Sequence, residues 1–149
     1  MNHLRDDDIA RLDWAWIGAQ LDAEGYAILP GLLDGAQTRS IAASIDTASV
    51  VLPEPFSAWR NAFYPHLALL SEPEKDFTGG EFVMTEQRPR MQSRPMVLPL
   101  HQGDAAIITV AQRPCKGGKG FYRVNIKHAI SRVRSGERIG LELVFHDVR

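Results

Sequence analysis

The chain has 149 residues, of which 44% are apolar and 23% are charged, and its formal net charge is −1. These values are typical of one globular domain, and no apolar run is long enough to span a membrane. The single cysteine, Cys115, excludes an internal disulfide, and the charged N-terminus lacks the apolar stretch of a secretory signal. We therefore expect one cytoplasmic domain over residues 1–149, with no membrane partner.

The first 70 residues are expected to be mainly helical. Asp13 and Asp34 each precede a helical pattern and can cap it, and Gly25 ends the first of these two helices. Pro65 interrupts a third helical pattern because it lacks the backbone donor that a helix interior needs. In chain order, the predicted segments are a helix over 13–24, a short strand with a Pro-Gly turn over 26–33, a helix over 34–49 and a broken helix over 57–70.

The chain changes character after Ser71. A turn-rich loop over 71–80 precedes a series of strand-like runs, about ten residues apart and separated by turn signals. This spacing is typical of an antiparallel sandwich or barrel, so the expected fold class is α+β, with N-terminal helices followed by β-hairpins. The predicted strands are 81–87, 92–100, 105–112, 121–131 and 138–147, with turns at 88–89, 102–104, 116–119 and 135–136.

The letters Gly79-Gly80-Glu81-Phe82 resemble part of the motif of diguanylate cyclases, in which two glycines precede two acidic residues. Only one acid, Glu81, is present here, and residues 34–70 lack the metal-binding Asp and the nucleotide-binding helix expected upstream. The glycines are better explained as a turn that leads into a strand. Glu81 is then expected to be a surface or turn residue.

A longer pattern gives these letters another context. Gly79 to Phe82 follow a loop, Gly103-Asp104 precede an apolar run, and His128 is followed ten residues later by Arg138. In this order and spacing the chain resembles the C-terminal half of a 2-oxoglutarate/Fe(II)-dependent oxygenase, close to the prolyl-hydroxylase-like bacterial branch. The segment 16–33 also resembles the N-terminal helix and entry strand of that family.

The resemblance covers most of residues 13–37 and nearly all of 69–147, and it implies both a fold and a reaction. The fold is a single oxygenase-like domain whose β-rich half, residues 71–149, is a partial double-stranded β-helix, or jelly roll. The cofactors are Fe(II), with His128 as a ligand, and 2-oxoglutarate, whose far carboxylate would bind the planar guanidinium of Arg138. The implied reaction hydroxylates a C–H bond of a small-molecule or peptidyl substrate while 2-oxoglutarate is decarboxylated.

The spacing between His128 and Arg138 also has a geometric interpretation. If the turn at 135–136 is a three-residue hairpin loop, Arg134 pairs with Arg138, and His128 lies on the same face. The separation of His128 and Arg138 along the sheet is then roughly 20 Å between Cα atoms, at about 3.3 Å per residue. A two-residue turn would reverse the parity and place the two side chains on opposite faces.

The chain departs from the family pattern in its other metal ligands. No histidine is followed two residues later by Asp or Glu, so the His-x-Asp motif is absent. The chain resembles a family member with two internal deletions, and the loss of strands would leave sheet edges unpaired and favour a homo-oligomer. We do not expect other side chains of this chain to complete the metal site. Cys115 is expected to be an exposed thiol in a loop. The other possible metal donors are His101, Asp104, His146 and Asp147. Of these, His101 and Asp104 flank a turn and are expected to be solvated.

Two alternatives to catalysis remain open. The missing ligands favour a non-catalytic relative of the family, either a pseudoenzyme or a binding module. The charge distribution suggests anion or nucleic-acid binding, because residues 1–87 carry five Lys/Arg against fourteen Asp/Glu, whereas residues 88–138 carry eleven against two. Nucleic acid is the less expected partner, since Phe121 and Tyr122 are the only aromatic residues within that basic stretch.

Overall fold

The computed structural model of the chain describes residues 9–44 and 65–144, with side chains over 9–44 and 68–142. This part of the chain contains two helices and ten strands, of which one strand lies between the helices and nine follow the second helix. The helices are α1 (Trp14–Glu24) and α2 (Gly35–Ser44). The strands are β1 (Tyr26–Leu29), β2 (Pro65–Leu69), β3 (Phe77–Gly79), β4 (Phe82–Gln87), β5 (Arg94–Leu98), β6 (Ala105–Ile108), β7 (Ala111–Gly117), β8 (Gly120–Ile130), β9 (Val133–Gly136) and β10 (Gly140–Val144).

Both helices begin at the predicted caps. The carboxylate of Asp13 accepts a hydrogen bond of 2.9 Å from the N–H three residues on, and Gly25 ends α1 with a left-handed φ of 80°. Asp34 accepts hydrogen bonds from the N–H groups two and three residues on, both at 2.8 Å. Residues 45–49 of the predicted second helix lie outside the described residues.

The strands form two four-stranded sheets and one two-stranded ribbon. The first sheet has the order β1-β6-β2-β10, and the second has the order β5-β4-β8-β7. Strands β3 and β9 form the ribbon, and every strand pair is antiparallel. The α+β class is therefore confirmed.

The main core lies between the two sheets. Its buried side chains come from alternate positions of both sheets, as expected when each sheet turns one face inward. The other face of the first sheet packs against α1, so the described chain has a helix layer, a sheet and a second sheet. The main core comprises Leu69, Phe77, Phe82, Met84, Met96, Leu98, Leu100, Ala106, Ile108, Val124 and Ile126, and the helix-side core comprises Ile17, Ala27, Leu29, Ala105 and Ile107.

The predicted helix over 57–70 is wrong where the structure describes it. Pro65–Leu69 form β2, which pairs with β6 on one side and with β10 on the other. Two neighbouring strands satisfy the backbone of β2, and this long-range pairing outweighs the local helical pattern. Pro65 is the first residue of the strand, where its missing donor is tolerated. Residues 57–64 lie outside the described residues.

The predicted strand over 105–112 is two strands in different sheets. Strand β6 belongs to the first sheet and β7 to the second. The chain changes direction between them at Ala111, a non-glycine residue with a φ of 62°. The β7–β8 hairpin then closes with Gly117 opposite Gly120, as the Gly/Lys-rich turn signal predicts.

The predicted hairpin at Ser135-Gly136 is also wrong. These residues belong to β9, which pairs with β3 through Gly136 opposite Phe77 and Ser135 opposite Thr78. Gly136 has a φ of 76°, and a Cβ there would collide with the backbone carbonyl of Asp76. The glycine is therefore needed for close strand approach rather than for a hairpin turn.

A buried ion pair joins the second sheet to α1. Glu86 on β4 is fully buried, and its carboxylate lies 2.6 Å from the guanidinium of Arg113 on β7 and 2.7 Å from that of Arg88. Burial raises the pKa of Glu86, but hydrogen bonds from the two arginines outweigh this effect and leave the pKa lowered. Arg113 also donates to the carbonyls of Asp22 and Ala23, at the C-terminal end of α1.

The outer strands of the two sheets have one unpaired edge each within the described chain. Strands β5 and β7 carry Pro95 and Pro114, and proline at an edge hinders pairing with another chain. The edges of the first sheet, β1 and β10, carry no proline. A homo-oligomer through these edges stays a prediction.

Candidate functional site

One pocket contains both residues that the sequence identifies, His128 and Arg138. It has a volume of about 310 Å³ and opens between the ends of the two sheets. Its apolar wall includes Leu69 from the first sheet and Phe82 from the second, and its polar side chains include Glu142. The pocket is thus a gap at one end of the main core.

His128 lies on the core-facing side of β8. It is opposite Met84 in the strand register and two residues beyond buried Ile126, so its side chain points inward. Its ring stacks on Phe82 with centroids 5.7 Å apart and planes inclined by 22°. The side chain remains 31% exposed, because it lies at the pocket mouth.

Glu142 is a pocket residue that the sequence did not suggest. It lies on β10, two residues from Gly140, which pairs with core-facing Leu69, so Glu142 points towards the second sheet. Its Oε1 lies 3.9 Å from Nε2 of His128. The two side chains belong to different sheets and come together only because one sheet packs on the other. A local sequence motif could not have predicted this contact.

Arg138 lies between β9 and β10, and two contacts hold its guanidinium group. Its Nε donates a hydrogen bond of 2.8 Å to the carbonyl of Gly80, and its Cζ lies 5.9 Å from the ring centroid of Phe77. Burial lowers the pKa of Arg138, although arginine stays protonated at neutral pH. Among the described residues, no acceptor pairs with its two terminal nitrogens.

Two glycines make room for this arginine. A Cβ at Gly80 would lie 2.8 Å from Cδ of Arg138, and a Cβ at Gly140 would lie 2.8 Å from its Nη1. Gly80 also has a φ of 64°, which favours glycine. The Gly79-Gly80 turn before β4 is confirmed, and its second glycine both shapes the turn and accommodates Arg138. Glu81, as expected, is exposed and accepts a hydrogen bond from Ser131.

The structure corrects the geometric interpretation of His128 and Arg138. The two residues do not share a hairpin, because β8 pairs with β4 and β7 whereas β10 pairs with β2. They reach the same pocket from different sheets. The ten-residue spacing therefore spans a crossing from the second sheet to the first, through the β9 ribbon.

The other candidate donors lie elsewhere. Asp104, expected to be solvated, is buried and accepts hydrogen bonds from the N–H groups of Gly31 and His101. His101 is exposed, with Nδ1 3.1 Å from Oε1 of Glu72. Cys115, expected in a loop, is a partly buried residue of β7 that packs against the main core. His146 and Asp147 lie outside the described residues.

The donor set falls short of the iron site that the sequence resemblance implies. Over residues 9–44 and 65–144, no three or more His, Cys, Asp or Glu side chains are grouped as metal ligands. His128 and Glu142 provide one imidazole and one carboxylate, whereas a facial triad requires two imidazoles and one carboxylate. The described residues therefore do not fit an iron site of that type.

Part of the chain is similar to two curated proteins. Two uncharacterized proteins of Mycobacterium tuberculosis, from strains CDC 1551 / Oshkosh and ATCC 25618 / H37Rv, are each 46% identical to this chain over 78 residues, which is 52% of the chain. The aligned part covers 34% of each relative, so the chain spans about a third of the length of the curated relatives that it matches. No solved structure matches.

The described helices are too short and too polar to cross a membrane.

The family described as an oxygenase catalysing oxidative methylation of damaged DNA matches residues 66–148. That segment contains β2 to β10, hence the whole pocket around His128 and Arg138. Since the match covers more than half of the sequence, the chain belongs to this oxygenase family.

Proposed function

We propose that the pocket binds 2-oxoglutarate and that Arg138 anchors the far carboxylate of this dianion. The observation that carries the proposal concerns Arg138, which lines the pocket: its Nε donates to the carbonyl of Gly80, while its terminal nitrogens have no acceptor among the described residues. A planar guanidinium can form two parallel hydrogen bonds with a carboxylate. Binding would replace solvent around a cation that is already partly desolvated.

The surroundings of Arg138 suit a small anionic ligand. The pocket volume of about 310 Å³ is at the lower end of the range for small-molecule sites. Its apolar wall, which includes Leu69 and Phe82, limits the solvent that would screen the ion pair. His128, on the opposite sheet, would face the other end of the ligand, where we propose that the family's metal contact lies.

The arrangement of the sheets supports the proposed ancestry. Two four-stranded antiparallel sheets that enclose a common core are the layers expected of a double-stranded β-helix, and we propose that the chain is a partial form of that fold. The family's oxygenase reaction is proposed for the complete protein. Among the described residues, His128 and Glu142 are fewer donors than an iron triad requires.

Calorimetric titration tests the binding proposal. 2-Oxoglutarate is titrated anaerobically, with Mn(II) in place of Fe(II), into the intact chain and into Arg138→Ala, His128→Ala and Arg134→Ala. We expect Arg138→Ala to weaken binding by roughly 10- to 150-fold, the loss associated with a charge-assisted hydrogen-bonded pair. Arg134→Ala removes an exposed arginine from β9 and is the matched control.

The His128 variant separates two forms of the proposal. If His128→Ala abolishes only the part of the affinity that depends on Mn(II), the imidazole contacts metal, and turnover assays with damaged DNA as substrate become the next step. If the affinity never depends on Mn(II), the chain is a non-catalytic binding relative of the oxygenases. Equal affinity of the intact chain and Arg138→Ala would refute the assignment of Arg138.

A further inference from the structure

The outward face of the second sheet is a basic surface on the far side from the pocket. Strand register defines its members, since residues opposite each other share a face and alternate residues along a strand do the same. We call this surface the outer face. Its members are Val83, Thr85, Gln87, Pro95, Val97, Gln112, Pro114, Lys116, Phe121, Arg123, Asn125 and Lys127.

The charge on the outer face has one sign. Lys116, Arg123 and Lys127 are exposed, and no member of the face is acidic. Exposed Arg90 and Lys119 lie in the β4–β5 and β7–β8 turns, at one end of the same sheet. The local field is therefore positive over β8 from Phe121 to Lys127.

Glu81, the exposed carboxylate closest in sequence to these residues, directly precedes β4 and accepts a hydrogen bond from Ser131, at the end of the sheet opposite Arg90 and Lys119. The other acidic residues of this region do not reach the outer face. Glu86 on β4 is adjacent to Thr85 and Gln87 in sequence, but it points inward and is neutralised by Arg88 and Arg113. Asp104, the only acidic residue between positions 88 and 136, is buried at the start of the first sheet. A polyanion on the outer face would meet no exposed carboxylate from the sheet itself.

An aromatic ring stands among these cations. Phe121 is 76% exposed and lies directly opposite Lys116 in the β7–β8 register. The neighbouring Tyr122 faces the other way and packs against the main core. A single exposed apolar side chain is common on protein surfaces, but this ring lies among cations of the same face, where it can add an apolar contact to the binding of an anionic ligand. Bases of any sequence can stack on such a ring.

We propose that the outer face binds single-stranded nucleic acid, with phosphates along Lys116, Arg123 and Lys127 and a base stacked on Phe121. From Phe121 to Lys127, β8 offers about 20 Å of surface at roughly 3.3 Å per residue, enough for a few nucleotides. The flanking Gln and Asn side chains can hydrogen-bond to bases or to phosphate oxygens. An anionic membrane or an acidic protein would use the cations, but neither would gain base stacking from the single phenyl ring.

This proposal goes beyond the pocket and does not depend on it. Lys127 points outward from β8 and the adjacent His128 points inward, so the two surfaces lie on opposite sides of one strand. Nucleic acid bound to the outer face would be held outside the pocket rather than in it. The two proposals can therefore fail separately.

Fluorescence anisotropy of a labelled 12-nucleotide oligodeoxythymidine measures binding over a range of salt concentrations. With three to five phosphates neutralised, log Kd should change with log salt with a slope of about 2 to 3.5. The triple variant Lys116→Gln/Arg123→Gln/Lys127→Gln should reduce this slope by about 2. The matched control, Arg11→Gln/Arg39→Gln/Lys75→Gln, removes the same charge from exposed positions outside the second sheet and should leave the slope within about 0.5.

Phe121→Ala separates stacking from charge. It should weaken binding by about 5- to 150-fold while leaving the salt slope unchanged. The intact chain should also prefer the single strand to a duplex of the same length. All face variants should retain the circular-dichroism spectrum and the urea midpoint of the intact chain, which shows that they are folded.

Three results would overturn the proposal. The first is an equal loss of binding in the face and control triple variants, which means that only net charge matters. The second is unaltered binding by Phe121→Ala, which removes the stacking role. The third is stronger binding to vesicles of anionic phospholipid than to the oligonucleotide, with the same dependence on the three cations, which identifies a membrane surface as the occupant.

Discussion

The Nε of Arg138 donates to the carbonyl of Gly80 at 2.8 Å, across 58 residues of sequence. This bond fixes the guanidinium where the turn before β4 meets the chain that enters β10. The ring of Phe77 lies below the same guanidinium. Because three segments of the chain position one side chain, Arg138 presents its terminal nitrogens in a set orientation, and a bound carboxylate would need to order little else.

Gly140→Ala tests whether that orientation matters. A Cβ at Gly140 would lie 2.8 Å from Nη1 of Arg138 and would displace the end of this flexible side chain rather than the backbone. We expect 2-oxoglutarate affinity to fall by about tenfold or more, the effect of weakening one bidentate charged pair. The unfolding free energy should change by less than about 1 kcal/mol.

Gly118→Ala is the control for the Gly140 variant. No atom lies within 4 Å of a Cβ built at Gly118, in the β7–β8 turn far from the pocket. This variant should bind 2-oxoglutarate as the intact chain does. An unaltered affinity in Gly140→Ala as well would mean that the arginine can move without consequence, contrary to the proposed anchoring.

The Glu86–Arg113 pair should be far more important for stability than a surface pair. Glu86→Gln leaves the buried guanidinium of Arg113 without its counter-charge, and we expect a loss of about 3–5 kcal/mol in unfolding free energy. Glu24→Gln, which removes the exposed partner of Arg94, should cost less than about 1 kcal/mol. Urea unfolding of the two variants compares them directly, and equal losses would contradict the structural role of Glu86.

Acid should weaken the fold in part through Glu72. The pKa of Glu72 is lowered from 4.5 by a hydrogen bond from the backbone of Gln102 and then by the side chain of His101. Because the pKa of Glu72 is lower in the folded state, its ionised carboxylate stabilises the fold above pH 4.5. This contribution is lost as the pH falls through the folded-state pKa. The stability difference between the intact chain and Glu72→Gln should therefore shrink as pH is lowered from 6 to about 3.

Urea unfolding at several pH values measures this difference. The carboxylate is partly exposed, so the difference should stay small, on the order of 1 kcal/mol at pH 6. A difference that grows on acidification would have the wrong sign for a lowered pKa. A constant difference would show that Glu72 acts through shape alone.

Alanine substitutions at Gly18 and Gly136 should change the unfolding free energy in opposite directions. Gly18 lies within α1 with nothing within 4 Å of an added Cβ, so Gly18→Ala should raise the unfolding free energy by about 0.5–1 kcal/mol through helix propensity. Gly136→Ala should lower it by more than about 2 kcal/mol, because the left-handed φ is strained for alanine and the Cβ meets the carbonyl of Asp76. Thermal unfolding followed by circular dichroism gives both signs, and stabilisation by Gly136→Ala would contradict the strand pairing of β9.

The features that the sequence predicted correctly are local. Asp13 and Gly25 bound α1 because capping depends on hydrogen bonds within a few residues. The Gly79-Gly80 turn follows from backbone conformations that glycine alone adopts readily. The predicted strand over 121–131 is confirmed as β8, because apolar and polar residues alternate along it and Val124 and Ile126 are buried.

The features that the sequence missed depend on pairing between distant segments. Strand β2 is stabilised by β6 and β10, which lie far along the chain, and its own letters are compatible with a helix. Ser135-Gly136 has the composition of a hairpin turn, but it pairs with β3 instead. Glu142 reaches His128 only through the packing of two sheets, so no motif spacing could have identified it.

The most direct test of the central claim compares two ligands that differ in the carboxylate assigned to Arg138. Binding of 2-oxoglutarate and of 2-oxobutyrate, which lacks the far carboxylate, is followed by chemical-shift changes in the intact chain and in Arg138→Ala. If Arg138 anchors that carboxylate, Arg138→Ala weakens 2-oxoglutarate by at least tenfold and leaves 2-oxobutyrate unchanged. If the substitution affects both ligands equally, or affects neither, Arg138 does not bind the far carboxylate and the proposed site is wrong.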